Sequence, residues 1–373
     1  SMRMSVNVIR SFILPHVTGQ GGALGSHYVQ KWLRCKPLDL FFKYFPLLGS
    51  SSHYAICLPL AAWCGGDWFA LRIFLTLSLT FFWANGTKDI LKLPRPKSGV
   101  GGVVHLESGY LEEYGFPSTH TANAVVWARG LCDLLGHFSL GLSPWAISTT
   151  GLGYICLVVI SRLYLGVYSL ADIFGGLQIG FLSVVASDAV LSPLCLAMAS
   201  DPAASMTVSL VVRDVTIDGS AVVALSICSL VLLGFPDRRD NWTTYKDTLS
   251  AIGVTAGWFM MAGPRLSGKE GTAEPAPFGT VAILGDREVP IAAVAAAFGS
   301  CFIGLGVIQF LCGEMDAALQ FLFGFKAGLF KLGKYVAMGA YLGWTAGGGI
   351  CHYNDSTFSC DAALRSFLTN SPS

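Results

Sequence analysis

Three stretches in the first half of the chain combine residue types and spacings suited to phosphoryl chemistry. Lys88 is followed, after six residues, by Arg95-Pro96. Pro117-Ser118-Thr119-His120 comes next, and then Ser161-Arg162, with Tyr168 and Asp172 further on. One lysine and two arginines, gathered at the open amides of a helix start, make a cradle for a phosphate group. Ser118 could add a hydroxyl donor there or act as a helix cap. A histidine beside such a cradle, here His120, is the natural proton donor to a leaving alkoxide. If Tyr168 opens a helix, Asp172 stands one turn along on the same face. Taken singly, each residue has a plainer reading. Lys88 and Lys92 would be helix-end cations reaching for the interface, His120 a structural histidine, and Asp172 a partner for Arg162.

The elements that must position these residues are membrane helices. The chain has 373 residues, 53% hydrophobic and 13% charged, against roughly 25% charged in an average soluble domain. Mean hydropathy is +0.57. This composition predicts an all-α, polytopic membrane helix bundle. Apolar runs long enough to span fall at about 46–64, 68–92, 118–137, 145–165, 168–190, 219–236, 247–264, 288–313 and 328–350, nine in all. Residues 1–45 mix six Lys/Arg with apolar residues and read as an amphipathic N-terminal segment, a helix lying on the membrane surface. The expected organisation is this segment, a helix bundle over 46–190 that holds the polar clusters, and further spans with a polar tail over 191–373. Alternating span direction brings the end of the second span, the start of the third, the end of the fourth and the start of the fifth to one membrane face. The three clusters therefore converge.

Other features are less informative. A net charge of +1 gives no reason to expect a nucleic-acid partner. The cysteines lie mostly in apolar runs and form no C-x-x-C pair. Cys351, His352 and Cys360 read as a polar tail rather than a metal site. The start lacks a small-residue cleavage site, and Ser1-Met2 ahead of Arg3-Met4 looks like an expression scar. Arg129 and Asp133 are spaced as an i,i+4 pair away from the site. Gly175, Gly176 and Gly180 would allow close helix contact. His53 falls on the site face, most simply as a satisfied polar residue. A transporter is disfavoured, because the polar clusters sit at span ends and in the front half only.

Lys-x6-Arg-Pro, Pro-Ser-x-His and Ser-Arg-x5-His-x3-Asp are the three motifs of the type-2 phosphatidic acid phosphatase superfamily. Residues 88–96, 117–120 and 161–172 resemble them in order and spacing. EYGFPSTH (113–120) and SRLYLGVYSLAD (161–172) are more closely similar to one branch, the sphingosine-1-phosphate (long-chain-base phosphate) phosphatases. The resemblance implies a metal-independent and cofactor-free phosphatase of endoplasmic reticulum membranes that acts on phosphorylated sphingoid-base lipids. Lys88, Arg95, Ser118, Thr119 and Arg162 would bind phosphate, His120 would be the general acid and Asp172 the orienting acid. The family nucleophile is the histidine of the third motif, which forms a phosphohistidine. This chain has Tyr168 there. A phenol of pKa ~10 is about one part in a thousand ionised at neutral pH, so the chain as written is expected to be impaired. Tyr168 would be either natural or introduced. His105 is a weaker stand-in, since a nucleophile must lie in line with the leaving oxygen.

Alternatives stay open: a non-catalytic lipid-phosphate-binding membrane protein, or a phosphatase for phosphatidic acid or a polyprenyl diphosphate. A homodimer is neither favoured nor excluded. Orientation is in conflict. Most Lys/Arg outside the spans fall on the site face, which the positive-inside rule makes cytoplasmic, whereas the resemblance implies a lumenal site.

Overall fold

The computed structural model describes residues 2–45, 67–107, 113–137, 141–193, 206–209, 214–217, 234–236, 243–267, 334–342, 352–354 and 357–359, with isolated positions at 197, 224 and 228. The helices are α1 (Met2–Val17), α2 (Gly19–Leu33), α3 (Lys36–Tyr44), α4 (Asp67–Leu91), α5 (Thr119–His137), α6 (Pro144–Tyr164), α7 (Leu170–Ala186) and α8 (Thr243–Ser267). A short helix covers 334–342. The strands among the described residues form two small antiparallel hairpins. One pairs β1 (Met206–Ser209) with β2 (Asp214–Ile217); the other pairs β3 (His352–Asn354) with β4 (Thr357–Ser359). The regular structure of the described residues is otherwise helical.

Three described helices are long and apolar enough to cross a membrane: Phe69–Leu91, Pro144–Tyr164 and Leu170–Leu191. The expected spans 46–64 and 288–313 lie outside the described residues, as do most of 219–236 and 328–350. The expected third span forms as α5 but is less apolar. It carries Arg129 and Asp133 and packs between α6 and α7. The outer faces of α6 and α7 expose Trp145, Leu152, Phe174, Phe181, Leu182 and Val185. An apolar surface of that kind suits hydrocarbon rather than water.

The chain divides into two compact units. The first comprises Ser1–Ile56, Thr76–Ala189 and Phe235–Thr248 and contains every motif residue. In it, α5 packs on α6 and α7, while α1 and α2 lie against α7 and α6. The single N-terminal helix expected from sequence is three helices. Its second member is a core element: Ala23, Gly25, Ser26 and Gln30 are buried. Small residues allow this approach, because a Cβ at Gly25 would meet the Leu170 side chain at 2.7 Å. Phe42 of α3 joins a buried cluster with Leu163, Tyr164, Leu165, Val167, Tyr168 and Ile173. At the start of α8, Thr244 Oγ1 donates to Asp89 Oδ2 (2.8 Å), and Asn85 Nδ2 donates to Thr244 O (3.1 Å).

In the second unit, Cys57–Leu75, Val190–Gly234 and Leu249–Ser373, Thr255 Oγ1 donates to Phe74 O at 3.1 Å and the Trp258 ring lies tilted against Phe74, centroids 5.3 Å apart. Gly257 and Gly339 let α8 approach the 334–342 helix backbone to backbone.

Candidate active site

Each motif residue sits where a helix begins or ends. Beyond α4, Lys92 adopts a left-handed φ of 51°, and Pro94 and Pro96 prevent the helix from resuming. This fixes Lys88 in the last turn of α4 and Arg95 just past it, both buried. At the start of α5, the Phe116-Pro117 bond is cis. Ser118 Oγ accepts from Thr121 N–H (3.3 Å) and from Thr121 Oγ1 (2.9 Å), which is a helix cap. The capping reading of Ser118 is therefore the observed one. Arg162 lies in the last turn of α6, which stops as Gly166 turns to a φ of 74°.

The expectation that Tyr168 opens the next helix is corrected. Leu170 opens α7 and Ser169 caps it. Asp172 is the third residue of that helix and closes a capping box. Its Oδ2 accepts from Ser169 N–H (2.7 Å) and Ser169 Oγ (2.8 Å), while its own N–H donates to Ser169 Oγ (3.1 Å). Serine followed three residues later by an acid outcompetes tyrosine as a start signal, which leaves Tyr168 in the connection. Asp172 does not pair with Arg162; Arg162 Nη1 meets Glu107 Oε2 at 3.4 Å.

Helix packing brings these ends together. Ser118 N–H donates to Asp172 O at 2.9 Å, joining the starts of α5 and α7. Gly175, Gly176 and Gly180 permit this approach as expected: a Cβ at Gly175 would meet the Phe116 ring at 2.6 Å, and one at Gly180 would meet Ala122 O at 2.5 Å. Lys88 Nζ reaches Thr119 Oγ1 at 3.5 Å. Arg95 Nη1 donates to Val167 O (3.3 Å), and its guanidinium lies 4.4 Å from the centre of the Tyr168 ring. His120, in the first turn of α5, faces the charges of Arg162, Lys88 and Arg95. Lys88, Arg95, Arg162, Ser118, Thr119, His120, Tyr168 and Asp172 thus form one cluster. His105 lies in the connection, where its N–H lies 3.5 Å from Ser98 Oγ. His53 lies outside the described residues.

The electrostatics suit an anion. Burial alone would push the Tyr168 phenol up, but Arg95, Lys88 and Arg162 outweigh it and hold the phenol below its ordinary value. Burial pushes the His105 imidazole below its ordinary value; a hydrogen bond to the Pro96 backbone opposes this, and the charge of Arg95 adds to the lowering. Arg95 is held charged against its burial by Tyr168 and Glu113.

Two groups of site residues escaped the sequence reading. The first is a pair of carboxylates. Glu113 Oε2 lies 3.4 Å from Arg95 Nη2 and 3.9 Å from Lys88 Nζ, and Glu107 pairs with Arg162. Glu113 stands four residues before Pro117, where a charge beside three cations was a usable signal. The second is the face of α2. Gln30 Nε2 donates to Val104 O (2.7 Å) and Tyr164 O (2.8 Å), and its Oε1 accepts from Val104 N–H (2.9 Å). Ser26 Oγ donates to Tyr168 O (3.2 Å). The only local hint was the run of small residues around them. Away from the site, Arg129 pairs with Asp133 as expected (2.9 Å) and also with Asp188 (2.7 Å), beyond the end of α7.

Three cations, a histidine and an aspartate thus lie on abutting helix ends, within a stretch that is similar to known proteins in sequence. Residues 69–192 match the family model described as the PAP2 superfamily, so the likeness read from the three motifs holds. Among curated proteins, the chain is similar to a dihydrosphingosine 1-phosphate phosphatase of Schizosaccharomyces pombe, at 32% identity over 46% of this chain and 42% of that protein. It is similar to sphingosine-1-phosphate phosphatase 2 of Homo sapiens, at 32% identity over 46% and 45%, and to lipid phosphate phosphatase delta of Arabidopsis thaliana, at 33% identity over 46% and 43%. The chain thus matches less than half the length of these relatives. No solved structure matches it.

Proposed function

We propose that the protein is a membrane lipid phosphatase of the sphingoid-base-phosphate class, and that the chain as written turns over poorly because Tyr168 stands at the nucleophile position. One observation carries this reading: Lys88, Arg95 and Arg162 gather with His120 and Asp172 around the buried residue 168. In the proposed site the cations, with Ser118 and Thr119, hold the phosphate. His120 protonates the leaving alkoxide, and Asp172 orients the group at position 168. With histidine at that position, a ring nitrogen forms a bond to phosphorus as the ester P–O bond breaks. The alkoxide takes its proton from His120, and water then hydrolyses the phosphohistidine. The reading assigns residues 46–190 to the catalytic bundle and 1–45 to the N-terminal segment. It assigns 191–373 to further spans and a polar tail. It puts the protein in the endoplasmic reticulum membrane with a lumenal site.

The test is phosphate release from dihydrosphingosine 1-phosphate in detergent with EDTA, comparing the chain with Tyr168→His. The expected result is little release from the chain and metal-independent release from Tyr168→His. Wild-type-like turnover by the tyrosine form would overturn the assignment of position 168. The packing of Arg95 on the Tyr168 ring favours a second reading, a lipid-phosphate-binding protein without turnover. That reading predicts binding by both forms and release by neither.

A further inference from the structure

The cations of the cradle are held by carboxylates from the connection between α4 and α5. Glu113 bridges Arg95 and Lys88, its side chain 13% exposed and theirs 4% and 2%. Glu107 takes Arg162. The backbone fixes Glu113 relative to the cradle: its own carbonyl accepts from Arg95 Nε at 3.2 Å, and Gly115 N–H donates to Leu93 O at 2.9 Å.

A phosphate entering this cradle must displace Glu113 from both cations. A carboxylate released in so enclosed a place loses its counter-ions, and that loss counts against the incoming ligand. A ligand that carries its own cation beside the phosphate removes this penalty. In a sphingoid-base phosphate a protonated amine stands three bonds from the ester oxygen. As the phosphate oxygens take Lys88 and Arg95, the ammonium arrives next to the carboxylate they release. Phosphatidic acid and polyprenyl phosphates bring negative charge and no such return, so the same glutamate opposes them.

We infer that Glu113 is a specificity-determining residue that pairs with the ammonium of a 2-amino-alkyl phosphate and disfavours phosphate lipids lacking it. This inference rests on the proposed reading of the site as one for lipid phosphates.

The test measures binding to the full chain in detergent with three probes: dihydrosphingosine 1-phosphate, its N-acetylated counterpart, and inorganic phosphate. The two lipids share chain and phosphate and differ in the ammonium. The chain is expected to prefer the free amine by roughly ten- to a hundredfold, the range for a hydrogen bond to a charged group. Glu113→Gln is expected to erase that preference and to tighten inorganic phosphate, whereas Asp133→Asn, away from the site, keeps the preference. A folded Glu113→Gln that retains the preference overturns the inference, as does a chain that binds both lipids alike. Should Glu113→Gln fail to fold, Glu113→Asp decides: a weakened preference supports the role and an unchanged one overturns it. If none of the three probes binds the chain, the site reading itself fails and this inference falls with it.

Discussion

Substituting Gly180 by alanine tests whether close approach of α7 to α5 holds the site together. A Cβ at position 180 would lie 2.5 Å from Ala122 O and 2.9 Å from Val125 Cβ. An ordinary carbon–oxygen contact is about 3.3 Å, so the helices must separate by about 0.8 Å there. Neither neighbouring atom is the end of a flexible side chain, so no rotamer change relieves the contact. Overpacking of this kind costs about 1–3 kcal/mol, and alanine returns about 1 kcal/mol in helix propensity. The net effect is a loss of about 0–2 kcal/mol. Gly153, in α6, is the control. Nothing lies within 4 Å of its Cβ position, so Gly153→Ala gains about 0.5–1 kcal/mol. Thermal unfolding of both variants in detergent should therefore separate them by about 1–3 kcal/mol. Asp172 stands two turns before Gly180 on α7, and His120 stands near Ala122 on α5. In the Tyr168→His background, Gly180→Ala should also lower phosphate release on the order of tenfold or more, since misplacement by about 1 Å can cost a hundredfold. A Gly180→Ala protein as stable as Gly153→Ala, with release unchanged, would refute the reasoning.

Two further perturbations address the site and its support. Gln30→Leu removes three hydrogen bonds and leaves Val104 N–H and the Tyr164 carbonyl without that partner. Destabilisation of about 1–3 kcal/mol is expected, with faster proteolysis of the N-terminal helices, and unchanged proteolysis would argue against a clamping role. Tyr168 is held below the ordinary phenol value by Arg95, Lys88 and Arg162. The tyrosinate absorbance difference between the chain and Tyr168→Phe should therefore titrate at lower pH than free tyrosine, and phosphate in the cradle should raise that midpoint. The linkage has a definite sign. The ionised phenol adds nothing to stability below its folded-state pKa. The contribution grows as pH rises through that value and levels off above the ordinary ~10. A midpoint at or above that of free tyrosine would show that burial dominates the cations.

Much of the site was legible in the chain because it depends on local signals. Prolines at 94 and 96 end a helix, Ser118 starts another, and apolar runs of spanning length alternate in direction. These facts bring Lys88, Arg95, His120, Arg162 and Asp172 to a common level. The i,i+4 pair Arg129–Asp133 and the close contact at Gly175, Gly176 and Gly180 follow from helical periodicity alone. The start of α7 was legible too, since Ser169 followed three residues later by Asp172 is a capping-box signal in the sequence, and it places the helix start after Tyr168. Tertiary structure decided three things. It turned the N-terminal segment into three helices, one of which puts Gln30 and Ser26 against the site. It stacked Arg95 on Tyr168. And it set Glu113 and Glu107 on the cations. Each of these contacts joins residues far apart in sequence or within a connection of no regular period, so no repeat along the chain announces it. Local spacing determines which groups reach the membrane face, and only packing determines which of them meet.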